Sequence, residues 1–197
     1  MAGTAILFSA VMNDDAKALA RGLRRRDPDV LDRLIEQYQY RLFRYLLYIT
    51  ADRETAEDVF QETWIRVLDR GGQYDGRVKF ATWLFTVARN LVIDLARRRK
   101  LESLDALRDS ERMQPLDIVA AGPSPSDLLA AQQDEAAALA SLARLPAIHR
   151  EVLLLRFHED LDLQEIAAVL GAPLSTVKSR LYRGLEQLRS VVAGDKA

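Results

Sequence analysis

The chain contains no cysteine and only two histidines among its 197 residues. The lack of cysteine excludes disulfide bonds, thiol catalysis and cysteine-ligated zinc, and it suits a reducing compartment such as the cytoplasm. His149 and His158 fall in one predicted helix, where packing or surface roles are more common than ligation or catalysis. The sequence has no phosphate-binding loop, nucleophile elbow or metal-spaced carboxylate set. We therefore expect neither an enzyme nor a bound cofactor.

Long apolar runs are also missing, so the sequence predicts no membrane insertion. Residues 1–12 are mildly apolar, but they lack a basic leader and precede acidic Asp14 and Asp15, which argues against a signal peptide. We interpret residues 1–26 as an N-terminal tail. The net charge is only -1, so basic groups must be clustered if the partner is a polyanion. No segment alternates convincingly as a β-strand does, and the predicted fold class is all-α.

A helix-turn-helix pattern is the clearest feature of the sequence. Asp162 and Glu165 predict a capping box at the start of its first helix. Gly171 predicts a left-handed helix end, and Ser175 is the predicted cap of the second helix. The second helix has an apolar stripe at helical spacing, made of Val177, Leu181, Leu185 and Leu188. Two short helices around a glycine turn are typical of DNA-binding domains.

The second helix carries polar side chains beside this stripe, mostly in its N-terminal half: Thr176, Lys178, Ser179, Arg180 and Arg183. That half is the part that enters the major groove in helix-turn-helix proteins. A small helical bundle with a solvated basic face is the structural alternative. Two caps, a glycine turn and a basic face occurring together favour DNA binding.

Three longer helices are predicted in the first half of the chain. Asp27-Pro28 begins the first, which runs to about Thr50, and Asp52 begins the second, which runs to about Asp69. The apolar stripe of the second is Ala56, Val59, Phe60, Thr63, Val67 and Leu68. A glycine-rich loop at 71–76 precedes the third helix, predicted over 79–100.

The third helix ends in the basic run 97–100. Cations suit a helix C-terminus, but four in succession favour phosphate contact over a merely solvated helix end. Phe80 and Trp83 lie on the apolar stripe of this helix, so core packing is the expected role for both.

Residues 103–135 differ in composition from both flanks. They contain three prolines, seven acidic residues and two basic residues, a balance of 2 minus 7, or -5. This composition predicts an acidic linker between helical domains at 27–102 and 136–197. Ser126 or Asp127, still in this linker, opens a helix to about Arg144, and Leu145-Pro146 separates it from a helix over 147–158.

Read in order, the chain resembles a bacterial RNA polymerase sigma factor of the extracytoplasmic-function (ECF) group. Residues 56–64 resemble the helix of that family that binds core polymerase. Residues 80–100, including the basic run that starts at Arg97, resemble its promoter-melting helix. Leu145-Pro146 with 150–153, followed by the helix-turn-helix, resembles its second DNA-binding domain. The resemblance implies the small two-domain form of the family.

The resemblance also implies roles for individual residues. Core polymerase contacts are expected from Asp58, Gln61 and Glu62. Contacts to the melted minus-ten strand are expected from Tyr74, Asp75, Lys79, Arg89, Asn90, Arg97 and Arg98. For Tyr74, base stacking and anchoring of its loop remain equal alternatives. The minus-thirty-five element would be read by Thr176, Lys178, Ser179, Arg180 and Arg183, with Lys178 or Arg180 the first candidates for base contact.

The partners implied by the resemblance are core RNA polymerase, promoter DNA and an anti-sigma factor. The acidic linker is expected to run through a basic channel of polymerase until RNA displaces it. One alternative function remains, a helix-turn-helix transcription regulator that acts without docking on core polymerase.

Overall fold

A computed structural model describes residues 16–107 and 141–194, which are helical apart from short turns and contain no strand. The all-α prediction is therefore confirmed. An N-terminal module comprises α1 (16–24), α2 (Pro28–Thr50), α3 (Arg53–Arg70) and α4 (Phe80–Leu107). A C-terminal module comprises α5 (Ala147–Leu153), a π-helical turn (Leu154–His158), α6 (Leu163–Leu170) and α7 (Leu174–Gly194).

The predicted helix starts of the N-terminal module are confirmed by their caps. The Asp27 side chain accepts a hydrogen bond from the Asp29 amide, and Pro28 occupies the first turn. Asp52 accepts hydrogen bonds from both the hydroxyl and the amide of Thr55, and these bonds lower the pKa of its carboxyl group. These short-range contacts account for the break between α2 and α3.

Helix α1 lies within residues predicted to be a tail. Leu23 is 2% exposed and packs in the core with Ala20, so this part of the prediction is wrong. The apolar positions 19, 20 and 23 have helical spacing, a signal that the tail interpretation ignored. A Cβ atom added to Gly71 would lie 3.2 Å from Leu23 Cβ, so α1 packs closely on the turn after α3.

The core of the N-terminal module lies between α2, α3 and α4. Tyr45 and Phe85 are almost fully buried and meet edge to face, with ring centroids 5.0 Å apart. Leu68 differs from its prediction, because it is 41% exposed. Val67 takes the buried position beside it and is 0% exposed.

Helix α4 is longer than predicted: it reaches Leu107 and so includes the first five residues of the predicted linker, 103–107. The rest of that linker, 108–135, lies outside the described residues, as does most of the helix predicted before Arg144. Residues 141–143 are helical, and α5 begins after Pro146 as predicted. The exact limits of the two domains stay predictions.

The two modules pack against each other. Helix α6 of the C-terminal module lies on α4, and one continuous apolar cluster includes Leu42 and Ala88 from one module and Leu155 and Ile166 from the other. Across the ranges that the structure describes, no helix has both the length and the apolar character needed to cross a membrane.

Candidate nucleic-acid interface

The helix-turn-helix is formed by α6 and α7. Asp162 Oδ1 accepts hydrogen bonds from the amides of Gln164 and Glu165, both at 2.8 Å, while Glu165 Oε2 accepts one from the Asp162 amide at 2.8 Å. The predicted capping box is thus confirmed. Gly171 ends α6 in the left-handed region with φ 58°, also as predicted.

The start of α7 differs by one residue from its prediction. The helix begins at Leu174, so Ser175 lies inside its first turn and is not the cap. The Val177 amide donates to the Pro173 carbonyl at 3.1 Å, which makes Pro173 the residue from which the helix resumes. Val177 is fully buried and fixes the rotation of α7 against the rest of the module.

Because Val177 faces the core, the predicted recognition residues lie on the outer side of α7. Lys178, Ser179 and Arg183 are exposed, whereas Thr176 and Arg180 are half-buried. Tyr182 is 70% exposed on the same helix and was not among the predicted recognition residues. A large aromatic ring between basic residues on a groove-facing helix was a signal that could have identified it.

Close packing on α5 holds α7 in place. Gly184 is buried, and a Cβ atom there would lie 3.2 Å from Leu153 Cδ1 and 3.3 Å from His149 Cβ. The Nδ1–H group of His149 donates to the Arg180 carbonyl at 3.1 Å. These contacts explain why glycine is tolerated in mid-helix, and they give His149 the packing role expected of it.

The loop before α4 is anchored by Tyr74. This side chain is 1% exposed, and its hydroxyl donates to the Val78 carbonyl at 2.9 Å. Its ring meets Phe80 edge to face at 5.7 Å and Trp83 at 5.6 Å. Burial raises the pKa of Tyr74 to about 12. The anchoring alternative therefore describes Tyr74 in this arrangement.

Asp75, on the exposed side of the same loop, stabilises the turn by its contacts with Arg77. Its Oδ1 accepts from the Arg77 amide at 2.9 Å, and its Oδ2 pairs with Arg77 Nε at 3.1 Å. Gly76 follows Asp75 with φ 76°, and a Cβ atom there would lie 3.0 Å from the Ala16 carbonyl oxygen. A left-handed conformation and a close backbone neighbour both require glycine at this turn.

The residues on α4 and just before it that were predicted to contact the single DNA strand fall into two groups. Asn90, Arg97 and Arg98 are exposed. Lys79, just before the helix, and Arg89 instead face carboxylates of the C-terminal module. These pairs could not be predicted from sequence patterns, because the partners of Lys79 and Arg89 are 86 and 62 residues away.

The predicted polymerase-contacting residues lie on α3. Asp58 and Gln61 are exposed, and Glu62 accepts from Arg66 Nε at 3.0 Å one turn along the helix. Within the described part of the chain, no group of three or more histidine, aspartate and glutamate side chains could hold a metal ion.

Two family models match the chain. Sigma-70 region 2 matches residues 34–102, which include α3, the loop and most of α4. Sigma-70, region 4 matches residues 141–190, which include the helix-turn-helix. The two matched ranges contain every residue for which a contact to core polymerase, to the single strand or to the duplex was predicted.

Individual relatives agree with these matches. The chain is 31% identical to the ECF RNA polymerase sigma factor SigW of Bacillus subtilis over 88% of this chain and 94% of SigW. It is 31% identical to the ECF RNA polymerase sigma factor RpoE of Cereibacter sphaeroides over 89% of this chain and 93% of that protein.

A solved structure shows the same fold. It contains the sigma factor RpoE of Bartonella quintana in complex with the anti-sigma factor NepR, and it matches 81% of this chain and 96% of that one at a TM-score of 0.62 and 23% identity. Together, the two family models, the relatives and the fold identify the protein: it belongs to the ECF RNA polymerase sigma factors, with one region 2 module and one region 4 module.

Proposed function

We propose that the two modules share promoter recognition between them. The C-terminal module reads the duplex minus-thirty-five element, and the N-terminal module docks on core RNA polymerase and holds the separated minus-ten strand. The observation that carries this division is the exposed face of α7, where Lys178, Ser179 and Arg183 project from a helix whose opposite side is buried.

Base reading in the duplex is assigned to the N-terminal half of α7. Lys178 is exposed and sits one turn from the start of the helix, where a side chain reaches base edges in the major groove. Arg180 is half-buried, so Lys178 becomes the first candidate of the two. Arg183, a further turn along, is assigned to a phosphate, which fixes register without reading sequence.

Strand capture is assigned to α4 and the loop before it. Arg97 and Arg98 offer charge to the strand backbone, and Asn90 offers an amide that can donate to and accept from an unpaired base. Since Tyr74 is buried under the loop, Asn90 is the stronger candidate for base recognition in this module.

Docking on core polymerase is assigned to the acidic face of α3, where Asp58 and Gln61 are exposed beside Glu62. An anti-sigma factor is the expected regulatory partner, by analogy with the solved complex of the sigma factor RpoE with the anti-sigma factor NepR. We place the protein in the cytoplasm and assign it no catalytic activity of its own.

Run-off transcription tests the proposal. Core polymerase is combined with the full-length protein over a library of promoter fragments, and the expected result is RNA that starts at a shared set of sites. Core alone and protein alone are the controls. Promoter binding without core association would instead support a regulator that acts without polymerase docking, and no initiation at any fragment would contradict the proposal.

A further inference from the structure

One hydrogen bond joins a side chain of α5 to the backbone of α7. His149 is 7% exposed, and its Nδ1 lies 3.1 Å from the Arg180 carbonyl oxygen. Because a carbonyl oxygen can only accept, Nδ1 carries the hydrogen and donates it. Arg180 lies in the N-terminal half of α7, so this bond attaches the half of the helix assigned to duplex reading directly to the helix beneath it.

Gly184 leaves the Arg180 carbonyl accessible. In an α-helix, a side chain tilts towards the helix N-terminus and covers the turn before its own Cα atom. For position 184, that turn holds the Arg180 carbonyl. A Cβ atom at Gly184 would lie 3.3 Å from His149 Cβ and 3.2 Å from Leu153 Cδ1, closer than ordinary van der Waals contact. Glycine therefore leaves the imidazole room to lie against the backbone of α7.

The contacts that hold α7 lie on one of its faces. Val177, Arg180 and Gly184 follow one another at intervals of three and four residues, which places them one above the other. Apolar packing at Val177 and Gly184 opposes rotation of the helix, but it is not directional and permits small slides along the axis. The hydrogen bond from His149 is directional and has a narrow distance range, so it fixes the axial position.

Base reading tolerates little displacement of α7. Lys178 precedes Arg180 by two residues, or about 3 Å along the helix axis, so a slide at Arg180 moves the Lys178 backbone with it. A binding site must be held within about 0.5 Å of its productive geometry. Donor–acceptor distances of N–H···O bonds also span only about 0.5 Å, from about 2.7 to 3.2 Å. The His149 bond therefore holds the helix to the tolerance that base reading requires.

We propose, as an extension that rests on the proposed function of α7, that His149 and Gly184 are positioning residues for duplex reading. Gly184 leaves the Arg180 carbonyl uncovered, His149 donates to that carbonyl, and the bond sets the position of Lys178 in the major groove. Both residues are buried on the packed side of α7, away from the face assigned to DNA. The upstream base preference thus depends on contacts beneath the recognition helix as well as on its outer side chains.

Two substitutions at His149 test the role of the hydrogen bond. His149→Leu removes the donor and keeps an apolar side chain of similar size. His149→Asn keeps a donor, because its amide nitrogen lies as many bonds from the backbone as Nδ1 does. Each full-length variant is combined with core polymerase, and binding is measured on promoter fragments that differ at single upstream base pairs. The discrimination ratio is the affinity for the preferred fragment divided by the affinity for an altered one.

A purely structural role for His149 would weaken binding to all fragments by the same factor and leave the discrimination ratio unchanged. A bidentate base contact discriminates against a wrong base pair by about 5- to 150-fold. We expect His149→Leu to lower the largest ratio at least about threefold and His149→Asn to stay within about twofold of wild type. Gln187→Leu, at an exposed position of α7, is the control and should keep the wild-type ratio.

A smaller loss in His149→Leu, or a loss in His149→Asn as large as that in His149→Leu, overturns the proposal. Gly184→Ala decides the case in which His149→Leu does not fold. Alanine favours a helix more than glycine does, so the substitution does not weaken α7 itself. Its methyl group covers the Arg180 carbonyl, and we expect the discrimination ratio to fall at least about twofold in a variant that circular dichroism shows to be folded. An unchanged ratio in folded Gly184→Ala overturns the proposal.

The positioning role and the proposed function fail in different ways. If wild-type protein and core polymerase prefer one upstream element, and the variants keep that preference, only the positioning role is contradicted. If the wild-type complex initiates RNA but prefers no upstream element, duplex reading by α7 is contradicted, and the positioning role falls with it.

Discussion

The two DNA-facing surfaces differ in how their charges are placed. On α7, Lys178 and Arg183 are exposed and form no ion pair within the described residues. On the N-terminal module, Lys79 and Arg89 are paired across the module boundary. A basic residue in a DNA-binding motif can therefore be exposed and available to DNA, or already held in an ion pair within the protein. The sequence alone does not distinguish the two cases.

The largest expected effect concerns the boundary itself. Arg150→Ala removes two hydrogen bonds to backbone carbonyls and leaves both acceptors unpaired, so we expect a loss of about 3 kcal/mol in the free energy of unfolding. Urea denaturation followed by circular dichroism measures the loss. Arg189→Ala, at an exposed position of α7, is the control and should change stability little.

Tryptophan fluorescence sharpens the same experiment. The only two tryptophans, Trp64 and Trp83, lie in the N-terminal module, whereas circular dichroism reports on both modules. In wild type, we expect coincident transitions by the two probes, and in Arg150→Ala we expect them to separate. Coincident transitions in the variant would show that Arg150 does not couple the modules.

A second prediction compares a basic residue assigned to base reading with one assigned to phosphate contact, both in the complex with core polymerase. Lys178→Ala should cost about 2 kcal/mol at the preferred promoter and relax preference at one or two upstream base pairs. Arg98→Ala is the matched comparison, and it should weaken all promoters by a similar factor and reduce the salt dependence. Binding to a library of upstream variants distinguishes them. Unchanged selectivity in Lys178→Ala would remove this residue from base reading.

A third prediction separates binding from opening. Asn90→Ala should slow strand opening about tenfold, or roughly 1.4 kcal/mol, with a smaller effect on initial duplex binding, because its amide is assigned to an unpaired base. Permanganate reactivity of thymines measures opening, and filter binding measures the duplex step. Asp94→Asn, at an exposed position one turn along α4, serves as the control. Equal losses in both steps would contradict the assignment.

The smallest effect is expected at the loop. The pKa of Tyr74 is raised to about 12 by burial, so the fold favours the neutral phenol. This contribution to stability is complete below about pH 10, the ordinary tyrosine value, and is lost as the pH rises through about 12. Tyr74→Phe should lower stability at pH 7 by about 1 kcal/mol, since its hydrogen bond to Val78 is lost.

Thermal unfolding across this pH range measures the difference. The variant should lose less stability than wild type between about pH 10 and 12. Tyr40→Phe is the matched control, because Tyr40 is 79% exposed. A parallel pH dependence in wild type and Tyr74→Phe would show that the loop tyrosine is not the titrating group.

Local chemistry explains what the sequence predicted well. Asp27, Asp52 and the Asp162–Glu165 pair each act within a few residues, so capping rules located the helix starts. The apolar stripe of α7 followed from its spacing in the same way, with Val177 buried and Leu181, Leu185 and Leu188 half-buried. Helix α1 was missed because apolar Leu19, Ala20 and Leu23 were attributed to a tail.

Long-range pairing explains what the sequence did not predict. Glu151 and Glu159 look like ordinary surface acids along the chain, and Glu165 like a capping residue alone, while their partners across the module boundary lie 62, 118 and 86 residues away. The burial of Tyr74 likewise depends on Phe80 and Trp83 turning towards it from the start of α4. Only the packed fold brings these groups together.

Because α4 and α6 belong to one polypeptide, their association is a unimolecular event. Dilution does not release it, and making more copies of the protein does not strengthen it. By contrast, the fraction of the protein that is bound to a separate inhibitor depends on the concentration of that inhibitor. The extent of packing between these two helices is therefore a property of the chain itself, whatever the concentration of the protein.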